Sequence, residues 1–326
     1  MSEHPTVLVT GASGFVGRAL SLHLRATGDY KLVTASRSRA SIIDGVPHRH
    51  HELLDLQQIP QLKDIDVVVH TAARVHVMND QNPDKASAYR EANVVGTVAL
   101  ANVAAHAGVK RFIYLSSIKV NGEQTLAGLP FTAFDTPHPQ DPYGASKLEA
   151  ELALREIESR TDMEVVVVRP TLVYGPGVKA NFRAMMSWLA KGIPLPLGAI
   201  DNRRSLVALD NLVDLLTCCI GAGAAAGETF LVSDNEDLST TQLLGHLART
   251  LGSPFSLFPV PALILRVAGY AIGKGNVAQR LCGSLQVDIS HTRETLDWLP
   301  PVRVIDALQA TAAAYRAEKA AMAQYP

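Results

Sequence analysis

The sequence has almost no net charge, because its 30 lysines and arginines face 31 aspartates and glutamates and leave a formal charge of −1. This balance gives no sign of nucleic acid or of an acidic membrane surface as a partner, since such partners are bound by clustered positive charge. Cysteine is also scarce. Three cysteines, of which Cys218 and Cys219 are adjacent, are too few for a disulfide framework. We therefore expect buried thiols in a reducing compartment.

Long apolar runs are missing as well. The most apolar stretch, Phe258–Ile272, is interrupted by Arg266 and is shorter than a membrane span. We expect it to form a core helix of a smaller lobe, with an interfacial membrane helix as the alternative. Residues 1–5 show neither the basic nor the apolar region of a secretory signal. These observations predict a cytoplasmic protein without stable membrane insertion.

The clearest positive signal is an apolar strand, Val7–Thr10, that runs into Gly11, Gly14 and Gly17 and then into a helical pattern ending at Thr27. The first glycine permits a tight turn, the second lets the backbone approach a pyrophosphate, and the third lets the helix pack close to its strand. The N-terminus of the helix supplies unpaired N–H groups to the phosphates. The stretch therefore predicts a nucleotide-binding loop, and an ordinary strand–turn–helix is the alternative.

Strand and helix patterns alternate through the first half of the chain. The strands at Val67–Val69 and Phe112–Leu115 are apolar on both faces, which is typical of a parallel sheet covered by helices on both sides. We predict an α/β protein with a doubly wound parallel sheet and a smaller C-terminal lobe. The expected domains are residues 1–174, which bind the nucleotide with a returning segment near 206–235, and residues 175–326, which mainly bind substrate. The expected long helices cover residues 14–27, 87–106, 143–158, 210–220 and 304–323.

Tyr143 and Lys147 are four residues apart, so a helix places the phenol and the ammonium group on one face. A free phenol has a pKa of about 10, and a nearby lysine cation and a positively charged nicotinamide would both favour the phenolate. Ser117 follows a predicted strand at the edge where open α/β sheets bind ligands, and its hydroxyl could hold a substrate oxygen. These residues together predict a catalytic site. The alternative is a surface helix pair and a turn serine.

These motifs resemble those of the extended short-chain dehydrogenase/reductases, the group of nucleotide-sugar epimerases, dehydratases and reductases. The resemblance covers nearly the whole chain. Thr10–Gly17 resembles the cofactor loop of the Rossmann sheet, Leu115–Ser117 with Tyr143 and Lys147 resembles the catalytic set, and Asn93 resembles a supporting helix asparagine. The resemblance implies that Ser117 and Tyr143 bind the substrate oxygen, that Tyr143 exchanges the proton, and that Lys147 holds the nicotinamide ribose.

The same resemblance implies residues that contact each ligand, and residues 169–177 resemble the strand that leads to the sugar pocket. The implied cofactor-binding residues are Gly11, Ser13, Gly14, Phe15, Val16, Gly17, Ser36, Arg37, Asp55, Leu56, Thr71, Ala72, Ala73, Tyr143, Lys147 and Pro170. The implied substrate-binding residues are Arg74, Ser117, Tyr143, Asn181, Phe182, Arg204 and Arg280. No metal is expected, because the histidines His48, His50 and His51 lack a carboxylate-supported ligand spacing.

Three departures from the family pattern refine the prediction. No carboxylate ends the second strand, where Ser36 and Arg37 could instead pair with a 2′-phosphate, so NADP(H) is expected to be preferred, with NAD(H) as the alternative. Ser117 is followed by Ile118 and Lys119 and not by the acidic pair of the dehydratases. Asn121 stands where the sugar epimerases of this group usually have tyrosine.

The C-terminal segments Gly283–Ser290 and Leu296–Pro300 resemble the subgroup that reduces UDP-4-keto-6-deoxy-N-acetylhexosamines for bacterial surface polysaccharide (O-antigen). The expected function is therefore NADPH-dependent reduction of the C4 ketone of such a UDP-sugar. The alternatives are a UDP-hexose or UDP-N-acetylhexosamine 4-epimerase with tightly bound NAD, and a non-catalytic NADP-sensing module. The resemblance also implies a homodimer, formed through the helix before the Ser117 strand and the helix that carries Tyr143.

Overall fold

The computed structural model describes residues 4–52, 55, 59, 61–75, 84–126, 128–253 and 256–324, and every structural statement below concerns these residues. The strands are β1 (Thr6–Thr10), β2 (Lys31–Ser36), β3 (His48–His50), β4 (Val67–His70), β5 (Arg111–Leu115), β6 (Glu164–Pro170), β7 (Leu172–Tyr174), β8 (Arg204–Ala208), β9 (Thr229–Val232) and β10 (Asp237–Leu238). The helices are α1 (Phe15–Thr27), α2 (Lys85–Arg90), α3 (Gly96–His106), α4 (Pro142–Glu158), α5 (Ala180–Ala190), α6 (Leu209–Gly221), α7 (Thr240–Leu251), α8 (Ala262–Ala271), α9 (Gly275–Cys282), α10 (Ser290–Leu296) and α11 (Val304–Gln324).

The larger sheet has the strand order β3-β2-β1-β4-β5-β6-β9, and all its strands are parallel. Chain order reverses between β1 and β4, and such a switch point opens the crevice in which doubly wound sheets bind ligands. The predicted fold class is confirmed by this sheet. The strand β3, by contrast, was not predicted from the sequence.

Alternating residues of the larger sheet pack into two cores, as the period of a strand requires. Val7 and Val9 face α1 and α6, whereas Leu8 faces α3 and α4 on the other side. Val7, Leu8 and Val9 are all fully buried, so the sheet is covered on both faces at β1. The predicted helix 87–106 is α2 and α3 joined by one π-helical turn, Glu91–Val95.

A second sheet has the order β10-β8-β7 and lies in the smaller lobe. The core of this lobe is formed mainly by α5, α7 and α11. Residues 209–232 return to the larger sheet, where α6 packs against α1 and β9 pairs with β6. The domain boundary at residue 174 stays a prediction, but the strand β7 just before it pairs with β8 of the second sheet.

The apolar stretch 258–272 differs from its expectation. Only Gly269 is buried among the residues of α8, and Leu263, Val267 and Tyr270 are among the most exposed large apolar side chains of the described chain. The prediction of a core helix is therefore wrong. Hydrophobic composition alone did not decide burial here, because the smaller lobe fills its core with other helices.

Candidate active site

The candidate site lies where the strands β1, β4, β5 and β6 end at one edge of the larger sheet. The parallel register places Thr10 beside His70, His70 beside Tyr114, and Leu115 beside Val168. The residues that follow these strands therefore gather at the same edge. His70 is buried and bonded to Thr10 and Thr97, as expected of a packing residue.

The glycine loop has the shape that a dinucleotide needs. Gly11 has a φ of 69° and a Cβ added there would lie 2.7 Å from the Ala72 nitrogen, so only glycine fits. Gly14 caps α1 without a side-chain hydrogen bond, which leaves first-turn N–H groups for the oxygens of a diphosphate. Thr71 fixes the facing loop by donating its hydroxyl to Thr10 O at 2.6 Å. The loop thus fits the diphosphate of a dinucleotide.

Ser117 and Tyr143 are brought together by the start of α4. Asp141 caps this helix by accepting a hydrogen bond from the Gly144 nitrogen at 2.7 Å, and it also pairs with Lys119, two residues beyond Ser117. A Cβ added at Gly144 would lie 2.7 Å from Lys119 O, so the two segments touch through their backbones. The two hydroxyl-bearing residues therefore face one site although 26 positions separate them in the chain.

Asn93 lies in the π-helical turn Glu91–Val95 and connects the loop after β4 to α4 through hydrogen bonds. Its side chain accepts from the Arg74 nitrogen at 2.7 Å and donates to Arg74 O at 3.1 Å. It also donates to the Ser146 hydroxyl at 3.0 Å, and that hydroxyl donates to Tyr143 O at 2.8 Å. Wide helical turns recur at functional sites, and here the turn links the loop after β4 to the tyrosine.

Lys147 is buried and has two neighbours at its ammonium group. Nζ donates to Leu115 O at 2.7 Å and lies 4.3 Å from the centre of the Tyr114 ring. Burial lowers the pKa of Lys147 to about 7, against the opposing effect of Glu151. The side chain is therefore held at the end of β5. With its pKa lowered to about 7, the ammonium group loses its proton near neutral pH.

Burial raises the pKa of the Tyr143 phenol, and the charge of Asp141 adds to this effect, while the hydroxyl of Ser117 opposes it. The rings of Tyr143 and Tyr89 pack edge to face, with 5.9 Å between the ring centres. The sequence suggested that Lys147 would favour the phenolate. The structure corrects this expectation, because the ammonium group is engaged by Leu115 and burial dominates at the phenol.

A buried ion pair between α4 and β6 was not found from the sequence. Arg169 donates to both carboxylate oxygens of Glu151, at 3.0 and 2.6 Å, and to the Asn121 side chain at 3.0 Å. Ser116, the neighbour of Ser117, donates to the same carboxylate. The available signals were an arginine near the end of the apolar strand β6 and an acidic residue on the inner face of α4, one turn after Lys147.

The predicted adenosine end of the site has no carboxylate among residues 36–41, which end and follow β2. Arg37 is exposed, and the buried Ser36 hydroxyl lies 3.3 Å from His48 Nε2 and accepts from the Ser38 nitrogen at 3.1 Å. Asp55 is partly buried, and Leu56 lies outside the described residues. Ser13, Phe15 and Val16 belong to the glycine loop and the start of α1, Ala72 and Ala73 follow β4, and Pro170 ends β6. Their cofactor contacts stay predictions.

The predicted substrate residues of the smaller lobe fall into two groups. Arg204 donates to Arg280 O at 3.0 Å, so these two arginines lie together at the end of α9. Asn181 is exposed at the start of α5. Phe182 is buried and stacks on Tyr174 with 5.5 Å between ring centres, which corrects any expectation that its ring faces a ligand. The other substrate contacts stay predictions.

This chain is similar to known proteins along most of its length. A model of the NAD dependent epimerase/dehydratase family matches residues 7–233. A Vibrio cholerae protein named UDP-glucose 4-epimerase is 47% identical over 316 residues, which are 95% of either chain.

Solved structures share the fold across nearly the whole chain. A UDP-glucose 4-epimerase from Thermotoga maritima, crystallised with UDP-glucose, has a TM-score of 0.78 at 21% identity, covering 96% of this chain and 99% of its own. A UDP-glucuronic acid 4-epimerase from Bacillus cereus, in complex with NAD, has a TM-score of 0.77 at 20% identity with the same coverage.

Proposed function

The chain belongs to the NAD dependent epimerase/dehydratase family, and from this premise we propose that it interconverts the C4 epimers of a UDP-hexose or UDP-N-acetylhexosamine. The observation that carries the proposal is the meeting of Ser117, Tyr143 and Lys147 beside the glycine loop. The relative that is 47% identical across the whole length supports the epimerase over the ketoreductase suggested by the C-terminal segments.

The residues that would hold NAD lie at the edge of the larger sheet. The glycine loop and the first turn of α1 suit the diphosphate, and Lys147 suits the nicotinamide ribose. When bound in its oxidised form, NAD would supply both a hydride acceptor and a positive charge near Tyr143. That charge would counter the rise in the pKa of Tyr143 that burial causes.

The chain itself handles the proton of the sugar C4 hydroxyl. Ser117 hydrogen-bonds the C4 oxygen, and Tyr143 takes the proton from that oxygen as the alcohol becomes a ketone. After the ketosugar presents its other face, Tyr143 returns the same proton to the oxygen. Lys147 keeps the phenol and the ribose aligned from its fixed position at Leu115. No proton is gained or lost over the cycle, as an epimerisation requires.

The test is to incubate the purified protein with UDP-glucose, UDP-galactose and the two N-acetyl analogues, without added reductant, and to follow the anomeric proton signals by NMR. We expect one pair of epimers to reach the same ratio from either side. Absence of conversion in every case, with protein that retains NAD, would overturn the proposal.

A second candidate, the NADPH-dependent 4-ketoreductase, is favoured by the end of β2. Arg37 is exposed there, and no residue from Ser36 to Ser41 carries a carboxylate for an adenosine ribose. In this reaction Tyr143 would donate a proton to the oxygen of a UDP-4-keto-6-deoxy-N-acetylhexosamine. Loss of absorbance at 340 nm that depends on the ketosugar, and is faster with NADPH than with NADH, would select it.

The remaining expectations stay predictions. They are NADP(H) preference, a homodimer formed through α3 and α4, and a cytoplasmic location. Among the described residues, no helix is long and apolar enough to cross a membrane. A non-catalytic sensing module gains no support, because such a module does not need Ser117, Tyr143 and Lys147 in one site.

A further inference from the structure

The outer side of α8 is an apolar surface that no element of the described part of the chain covers. Leu263, Val267 and Tyr270 are 73%, 61% and 67% exposed, and their spacing places them in one stripe along the helix. Further exposed apolar residues widen the stripe toward α9. We call the set of Leu263, Ile264, Val267, Tyr270, Ile272 and Val277 the α8 face.

The α8 face belongs to a well-packed helix pair. A Cβ added at Gly269 would lie 2.5 Å from the Ala278 Cβ, so α8 and α9 touch almost backbone to backbone. Lys274 donates its N–H to Gly269 O at 2.7 Å, and Arg266 donates to Cys282 O at 3.2 Å. Leu265, on the inner side, packs on the core of the smaller lobe. The outward apolar side chains are therefore held in place by the fold.

The charged residues of the segment that carries this face have one sign. The sequence contains no acidic residue between Asp237 and Asp288, whereas Arg249, Arg266, Lys274 and Arg280 all fall in that interval. The whole chain carries a formal charge of only −1, so this segment is an exception. An apolar stripe in a segment whose lysines and arginines are not accompanied by any acidic residue is complementary to a surface that offers hydrocarbon beneath negative charge.

We infer that the α8 face rests on an anionic lipid bilayer and holds the smaller lobe at the membrane surface. A helix of 10 residues cannot cross a bilayer, but it can lie in the interface with its apolar side chains among the acyl chains and its basic ones near the headgroups. The association is reversible, and it does not depend on which sugar reaction the site performs.

The test is flotation of the full chain with vesicles of phosphatidylcholine and phosphatidylglycerol in equal parts, compared with vesicles of phosphatidylcholine alone. We expect binding to the mixed vesicles and at least about tenfold less binding to the neutral ones. Added salt should weaken the binding, because it screens the headgroup charge. Equal binding to both vesicles, or none to either, would overturn the inference.

Substitutions locate the binding surface. Val267→Glu should reduce binding to the mixed vesicles by about tenfold or more, because a carboxylate enters the apolar stripe and meets negative headgroups. Met322→Glu on α11 is the matched control, since Met322 is similarly exposed at 67% and lies on another helix. Equal loss in both variants would contradict the assignment of the surface to α8.

Light scattering in the absence of vesicles separates the membrane from a second copy of the chain. We expect the Val267→Glu variant to keep the oligomeric state and the thermal unfolding temperature of the parent protein. A change in oligomeric state would show that the α8 face joins two copies, and it would overturn the membrane assignment.

Discussion

The edge of the larger sheet and the α8 face differ in which side chains they bury and which they expose. At the edge, Lys147, Glu151 and Arg169 are almost fully buried, and each has partners at hydrogen-bond distance. On α8, Leu263 and Val267 are mostly exposed, and their side chains face outward from a packed helix pair. The sheet edge therefore buries charged side chains, whereas the α8 face exposes apolar ones.

The difference shows what each region requires. A site that moves a proton requires donors and acceptors held in one geometry, and burial with full hydrogen bonding supplies that rigidity. A surface that meets a fluid partner requires area and charge of the right sign but no fixed register. Substitutions should therefore have large effects at the edge and small effects on stability at α8.

The largest effect is expected at the proton-transferring group. Tyr143→Phe removes the hydroxyl and should lower kcat by about a thousandfold, while cofactor retention stays close to that of the parent protein. Turnover by NMR and the absorbance of bound cofactor measure the two quantities. The matched variant Tyr270→Phe, on the α8 face, should keep the parental rate. A Tyr143→Phe enzyme with near-parental turnover would contradict the proton role.

The next largest effect is expected on the free energy of unfolding, when the buried ion pair of Glu151 and Arg169 is broken. Glu151→Gln leaves Arg169 without its carboxylate and should lower the free energy of unfolding by about 3 kcal/mol. Glu149→Gln, two residues away on the same helix, removes a pair with Arg90 in which both side chains are exposed and should cost less than about 1 kcal/mol. Urea denaturation measures both. Equal losses would show that burial of the pair is not what matters.

Lys147 gives a pH-dependent test of the same burial. Its pKa is lowered to about 7 in the folded chain, so above that pH the unfolded chain binds more protons than the folded one, and stability rises with pH. The parent protein should gain about 2 kcal/mol relative to Lys147→Met between about pH 7 and about pH 9. The comparison uses urea midpoints at both pH values. Parallel pH curves would contradict the lowered pKa.

A smaller effect is expected at the exposed end of β2. Arg37→Ala should weaken NADPH binding by about tenfold, because one charge-assisted contact with a 2′-phosphate is lost. Binding of NADH should hardly change. Titration of the intrinsic fluorescence with each nucleotide measures the ratio. Equal weakening for both nucleotides would mean that Arg37 does not read the 2′-phosphate.

The smallest effect on stability is expected on the α8 face. Leu263→Ala should change the free energy of unfolding by less than about 0.5 kcal/mol, because the side chain is exposed. Leu247→Ala, at a fully buried position of α7, should cost about 3 kcal/mol through the cavity it leaves. Thermal and urea unfolding give both values. A large loss at Leu263 would show that this face is covered in the native protein.

The sequence by itself determined the features that are written in local pattern. Apolar strands alternating with helices specified the parallel sheet, since strands covered on both faces must be apolar throughout. The glycine spacing specified the phosphate loop, because Gly11 sits where a side chain would strike the backbone of Ala72. The four-residue spacing of Tyr143 and Lys147 placed both on one face of α4.

Only the tertiary structure decided which polar groups are buried next to each other and which apolar groups remain exposed at the surface. The pair of Glu151 and Arg169 joins α4 to β6, and the pKa of Tyr143 follows from burial and Asp141 rather than from Lys147. The same holds for α8, which is apolar enough for a core yet exposed. Burial and charge pairing depend on neighbours that are distant in the chain, so local sequence patterns do not determine them.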